Sequence, residues 1–279
     1  MHPEQQLSIA RNSEGATSMA VISPVGAALE KLALKGTTII DSTLVSNPSA
    51  MFFGSTLAPW PNRLANHSYE FQGQRYQTPN VDQDGNSNHG LVFNRAFEVN
   101  EHSDDSIAFG YKFGSDESYP FPIDLKITYQ LFDSGLRVSA IATNNGQAAP
   151  FGIGFHPYFL VGENFKASAN FSKQILVDEK MIPISDKHID GFVYEGGNLD
   201  DCFTGDGQLN LETEKFNVTI SLEKGFEYFM LYRPSIDCGA SLLAVEPMSC
   251  IANAFNSDLG STVIQPGESQ EFEFSIRIH

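Results

Sequence analysis

Cysteine is nearly missing from this chain: Cys202, Cys238 and Cys250 are the only three. An odd, sparse set without C-x-x-C spacing fits free thiols in a reducing compartment better than a disulfide framework. Basic side chains are scarce as well, with 17 Lys and Arg against 34 Asp and Glu and a formal charge of −17. Nucleic acid and acidic membrane surfaces both demand a positive footprint, so neither is expected as a partner. No apolar run approaches ~18 residues, and the amino end has no basic segment leading into an apolar one. A membrane-spanning helix and a secretory leader are therefore not expected, and the cytoplasm is the expected location. Helical periodicity is weak throughout. The 23 Gly and 14 Pro break the chain at short intervals, which leaves no stretch for a long amphipathic helix.

What the chain does have is aromatic residues and alternation. It carries 22 Phe and 9 Tyr in 279 residues, types that favour strands and dominate packing area. Leu125, Ile127, Tyr129 and Leu131, then Leu136, Val138 and Ala140, alternate about the turn signal Asp133-Ser134-Gly135 and predict a hairpin. The same period of two recurs at Phe216, Val218, Ile220 and Leu222 and at Phe272, Phe274, Ile276 and Ile278. Tyr69 to Phe71 and Arg75 to Gln77 flank a turn at Gln72-Gly73. The expected class is all-β, packed sheet on sheet, with a site carried by polar, glycine-rich connections. No linker, compositional break or repeat divides residues 1–279, so one domain is expected.

Five places could carry chemistry. In Pro150-Phe151-Gly152-Ile153-Gly154-Phe155-His156-Pro157-Tyr158-Phe159 a single imidazole sits in an apolar, aromatic run. An imidazole titrates near neutrality and can move a proton, although a buried histidine is also commonly a core group with one hydrogen-bond partner. Glu246 follows the apolar run Leu242-Leu243-Ala244-Val245, where an unpaired carboxylate would be costly. A salt bridge and a catalytic role both account for it. Arg63 in Pro59-Trp60-Pro61-Asn62-Arg63, His89 in Asn88-His89-Gly90, and Asp200 with Asp201 before Cys202-Phe203 are weaker: each also reads as a surface cation, a turn or a solvated loop. The other histidines, His2, His67, His102, His188 and His279, lie in polar or terminal surroundings and read as solvated.

In their order these pieces resemble the aldose 1-epimerase (galactose mutarotase) family. The matching stretches are Pro59-Trp60-Pro61-Asn62-Arg63-Leu64, Asn88-His89-Gly90-Leu91 with Asn94-Arg95-Ala96-Phe97-Glu98-Val99, Gly154-Phe155-His156-Pro157-Tyr158-Phe159, Leu199-Asp200-Asp201-Cys202-Phe203, Glu246-Pro247 with Asn253-Ala254-Phe255-Asn256, and Gln265-Pro266-Gly267-Glu268. The resemblance implies a large antiparallel β-sandwich of the galactose mutarotase type. It also implies His156 as general acid, Glu246 as general base, and Arg63, His89 and Asp200 as the residues that hold the sugar. Asp200 fits the family's aspartate better than Asp201 by its distance from Phe203. The chain departs from many galactose mutarotases around the histidine, where Phe155, Pro157 and Leu160 replace polar neighbours, so the identity of the sugar stays open.

The implied reaction opens and recloses a hemiacetal. A base takes the anomeric hydroxyl proton while an acid protonates the ring oxygen, and the exposed aldehyde rotates before closure. The scheme needs Glu246 ionised and His156 protonated at the start, and neither cofactor nor metal. An aromatic such as Trp60 or Tyr158 would suit the apolar face of the sugar. A hexose-6-phosphate epimerase is the nearer alternative, with Arg63 and Arg95 as candidate phosphate contacts, but only seven arginines in so acidic a chain give it little support. A glycoside hydrolase using Asp200 and Glu246, or a non-catalytic sugar-binding module, are readings from other classes.

Overall fold

A computed structural model describes residues 6–235, 238–257 and 262–279. The chain is built of antiparallel strands, and its helical content among the described residues is four single-turn 3₁₀ segments. The expected hairpin forms from Ile123–Phe132 and Gly135–Asn144, with a tighter two-residue turn at Asp133-Ser134. Ser68–Phe71 and Gln74–Gln77 form the second expected hairpin. Asn217–Lys224 and Ser269–Ile278 pair with each other, each burying alternate residues.

Two large sheets dominate. The nine-stranded sheet runs, edge to edge, Glu98–His102, Ser106–Lys112, Ile123–Phe132, Gly135–Asn144, Ser269–Ile278, Asn217–Lys224, Gln208–Thr213, Phe165–Ala169 and Phe192–Tyr194. The eight-stranded sheet contains Pro183–His188, Phe171–Val177, Leu199–Gly205, Tyr228–Arg233, Leu242–Met248, Gly154–Phe155 and Thr56–Leu57, with Tyr158–Leu160 also on Leu242–Met248. Phenylalanine joins the layers: Phe155 of one sheet lies 5.3 Å, ring to ring, from Phe274 of the other, and Phe151, on the separate short strand Ala149–Phe151, lies 6.0 Å from Phe272. A four-stranded sheet from Leu7–Ser13 to Thr37–Asp41 adds to the same apolar core, which reaches from Ile9 to Ile278. Tyr129 fastens it by donating its hydroxyl to the carbonyl of Ala27 at 2.7 Å. No described helix is long and apolar enough to cross a membrane. The three cysteines are free and buried.

Successive strand residues face opposite ways. With Phe155 turned toward the other sheet, His156 is presented on the far face, and this alternation places the site.

Candidate active site

Strand register brings the two residues with proton-transfer chemistry together. Leu242–Met248 pairs with Tyr158 opposite Ala244 and with Gly154 opposite Met248, and the same register sets His156 opposite Glu246. On its other side this strand aligns Glu246 with Met230 and Ala244 with Tyr232, and Tyr232 in turn faces Asp200. Two adjacent rows on one sheet face result: His156, Glu246, Met230 and Cys202, and beside them Tyr158, Ala244, Tyr232 and Asp200. His156 Nε2 lies 3.5 Å from Glu246 Oε1, both side chains almost fully buried. The backbone fixes His156 from below, its N–H donating to Ser55 and its carbonyl accepting from Gly54. Gly54 has φ +69°, and a Cβ there would stand 2.1 Å from the carbonyl oxygen of Leu29, so only glycine fits.

Loops supply the remaining wall. Arg63 and Asn88 are cross-strand partners, and His89 follows at φ +59°. Gly90 lets the chain turn away, since a Cβ there would meet the Ala58 carbonyl at 2.2 Å. Arg63 sets its Nε 3.4 Å from Asp82 and its Nη1 3.3 Å from Asn62 Oδ1. The Asn253-Ala254-Phe255-Asn256 stretch is a buckle for this loop: Asn253 N–H donates to the Arg63 carbonyl, and its Oδ1 accepts from Ala65 N–H. All five expected site residues, Arg63, His89, His156, Asp200 and Glu246, line one cavity of ≈ 280 Å³. Larger hollows of ≈ 490 and ≈ 500 Å³ lie elsewhere on the surface. Neither contains His156 or Glu246, and volume without convergent chemistry is the weaker indicator.

Burial governs the charges. It drives the His156 imidazole down to about 3 and pushes the Glu246 carboxyl well above its ordinary range, Asp200 adding repulsion and Arg63 partly offsetting it. The same desolvation, with His156 and Arg63 nearby, keeps His89 neutral, and it raises Asp200 against the pull of Arg63. Burial thus works against both charges that the reaction scheme needs at its start, the Glu246 carboxylate and the His156 imidazolium. Desolvation of both groups acts in favour of the uncharged tautomer, with the pair's one proton on the carboxyl. Glu246 Oε2 and His156 Nδ1 are buried without a partner, a costly arrangement that a hydroxyl-bearing ligand would relieve at the carboxyl.

A family model for aldose 1-epimerase matches residues 10–277. The chain belongs to the aldose 1-epimerase family. The uncharacterized Escherichia coli K12 protein YihR is 29% identical over 285 residues, covering 92% of this chain and 89% of its own. Among solved structures, a candidate aldose 1-epimerase from E. coli K12 superposes with TM-score 0.82 at 22% identity, covering 99% of both chains. The GalM/aldose epimerase homologue from C. elegans matches with TM-score 0.82 at 19% identity, again over 99% of both. At such identities the superpositions speak for the mutarotase-like fold, and the family model speaks for membership.

Within this family frame two expectations need correction. Trp60 does not line the cavity: it is 1% exposed and packs against Tyr69 and Phe255 behind the loop. Tyr158 takes the aromatic place, stacked on His156 with ring centroids 4.8 Å apart. Arg95 is not on the wall either; its charge is felt by Tyr111. Of the polar-site histidines, His102, His188 and His279 are exposed and His67 is half-buried, while His2 lies outside the described residues. Sequence reasoning missed Phe52, which meets His89 edge-on at 4.5 Å and stacks at 6.3 Å on His156. Its run Met51-Phe52-Phe53-Gly54 looks like an ordinary apolar strand, and only the left-handed backbone at Phe52, φ +54°, turns the ring into the site. Met230 and Tyr232 were missed because the run 228–232 is aromatic and aliphatic and reads as core.

Proposed function

We propose that this protein is a cofactor-independent aldose 1-epimerase that interconverts the α and β anomers of a free aldose. The observation that carries this reading is the 3.5 Å approach of His156 and Glu246 across one buried cavity wall. Two groups sharing one proton suit a reaction that removes a proton from one oxygen of a hemiacetal and delivers a proton to the other. A bound sugar would donate its anomeric hydroxyl to Glu246 and offer its ring oxygen to His156. Both contacts favour the charged tautomer, carboxylate and imidazolium, against the desolvation that opposes it. Proton transfer then opens the ring, rotation about the first carbon–carbon bond exposes the other face, and reversal closes it. Arg63, His89 and Asp200 are the hydroxyl contacts, and Tyr158 and Phe52 hold the imidazole between aromatic faces.

A free sugar is favoured over a phosphorylated one by a specific observation: among the described residues Arg63 is the single arginine or lysine on the cavity wall, which it shares with the two acids Asp200 and Glu246. A phosphate ester calls for clustered cations. The test is polarimetry on fresh α-glucose, α-galactose, xylose, arabinose and α-glucose 6-phosphate. Acceleration of at least one free aldose well above the spontaneous rate supports the reading. Acceleration of the phosphate ester alone would replace it with the phosphosugar reading.

A further inference from the structure

We propose that Asn62 is a positioning residue that sets two sugar-holding groups at once, the tautomer of His89 and the reach of Arg63; this rests on the mutarotase reading of the cavity. Asn62 is buried, 5% exposed, with a left-handed backbone at φ +58°, a conformation asparagine tolerates better than most residues. Its backbone grips His89 twice. The Asn62 N–H donates to His89 Nδ1 at 3.3 Å, and the Asn62 carbonyl accepts the His89 N–H at 3.0 Å. A ring nitrogen that accepts an N–H carries no proton of its own, so the single proton of a neutral His89 sits on Nε2. His89 is thereby fixed as a hydrogen-bond donor at the cavity.

The side chain of Asn62 does the second job. Its Oδ1 accepts from the Arg63 N–H at 2.8 Å and from Arg63 Nη1 at 3.3 Å. Asp82 lies 3.4 Å from Nε as an ion-pair partner without a hydrogen bond to it, so the amide oxygen of Asn62 is what orients the guanidinium fork before it meets a sugar hydroxyl. The two jobs are separable, because one belongs to the backbone and the other to the amide oxygen.

Replacing Asn62 with glycine keeps the left-handed backbone and both His89 contacts but deletes Oδ1. Asn62→Asp keeps an acceptor of the same reach. Asn62→Gly should raise KM about tenfold with a much smaller change in kcat, as expected when a preorganised binding contact is loosened, and Asn62→Asp should return KM to within about threefold of the wild type. Equal KM for Asn62→Gly and wild type, or no rescue by Asp, would overturn the clamp on Arg63. Long-range ¹H–¹⁵N NMR of the histidine rings reads the other half without any activity: His89 should show Nε2 protonated and Nδ1 bare at neutral pH in the wild type. An Nδ1–H or imidazolium signal would overturn it. A wild type inert toward every aldose while His89 keeps its tautomer would instead defeat the functional reading alone.

Discussion

At Glu246 the proposed function and stability oppose each other. Its folded carboxyl holds its proton far above the usual range because of burial, whereas in the unfolded chain it ionises near 4.5. The unfolded state therefore gains by releasing that proton at neutral pH, and the folded state does not, so the group costs stability above its unfolded pKa and costs nothing below it. Glu246→Gln should raise Tm at pH 7, at ~2–4 °C per kcal/mol for a chain of this size, with the gain vanishing below about pH 4. The same change should lower mutarotation by ~10²–10⁴. Calorimetry at both pH values beside rate measurements checks this; a variant less stable at pH 7 contradicts it. His156 bears on the pH profile. With its imidazole down to about 3, the pair keeps a single proton from that value up to the raised pKa of Glu246. The rate constant kcat/KM, corrected for spontaneous mutarotation, should hold level through pH 5 and fall on the alkaline side. An acid limb near 6.5, as for a solvated imidazole, would show that burial does not control the pair. His156 and Glu246 were legible as candidates because each is a polar break in an apolar run. Their resting charge state was not, because desolvation depends on packing that the order of residues does not display.

At the level of strands, what matters is register. Period-two alternation made the hairpin of Ile123–Phe132 and Gly135–Asn144 and the strand Ser269–Ile278 readable. Leu242–Met248, buried along its whole length, has no alternation, and a continuous apolar run leaves register undetermined. The opposition of His156 and Glu246 was therefore invisible from either segment alone. The resemblance of motifs supplied that pairing, while the left-handed backbone that turns Phe52 into the site has no signal in an apolar, aromatic run. Glycine guards this geometry. Gly54→Ala would force a Cβ into the Leu29 backbone and strain a left-handed conformation, at a cost of ~1–3 kcal/mol. It should lower Tm and, by displacing the carbonyl of His156, reduce kcat as well. A soluble variant with unchanged Tm and kcat would show that this contact does not position the histidine.

For the molecule as a whole, charge is the relevant property. The chain carries a formal −17, and its cavity wall bears one arginine among the described residues, an arrangement that disfavours anionic ligands and is indifferent to neutral ones. Raising salt from about 20 to 500 mM, where screening shortens from tens of ångströms to a few, should leave KM for a neutral aldose nearly unchanged. A steep rise in KM with salt would point to an anionic substrate drawn in by Arg63. Composition alone disfavoured nucleic acid as a partner, and it bears on the charge of the proposed sugar in the same sense as the cavity does. The central claim is that His156 and Glu246 act on one hemiacetal from neighbouring strands. Magnetisation-exchange NMR between the α and β anomeric protons of glucose or galactose at equilibrium tests it most directly. The account predicts exchange that speeds up in proportion to enzyme and drops to near the spontaneous rate in both His156→Asn and Glu246→Gln. Exchange that survives either substitution at the wild-type rate would contradict it.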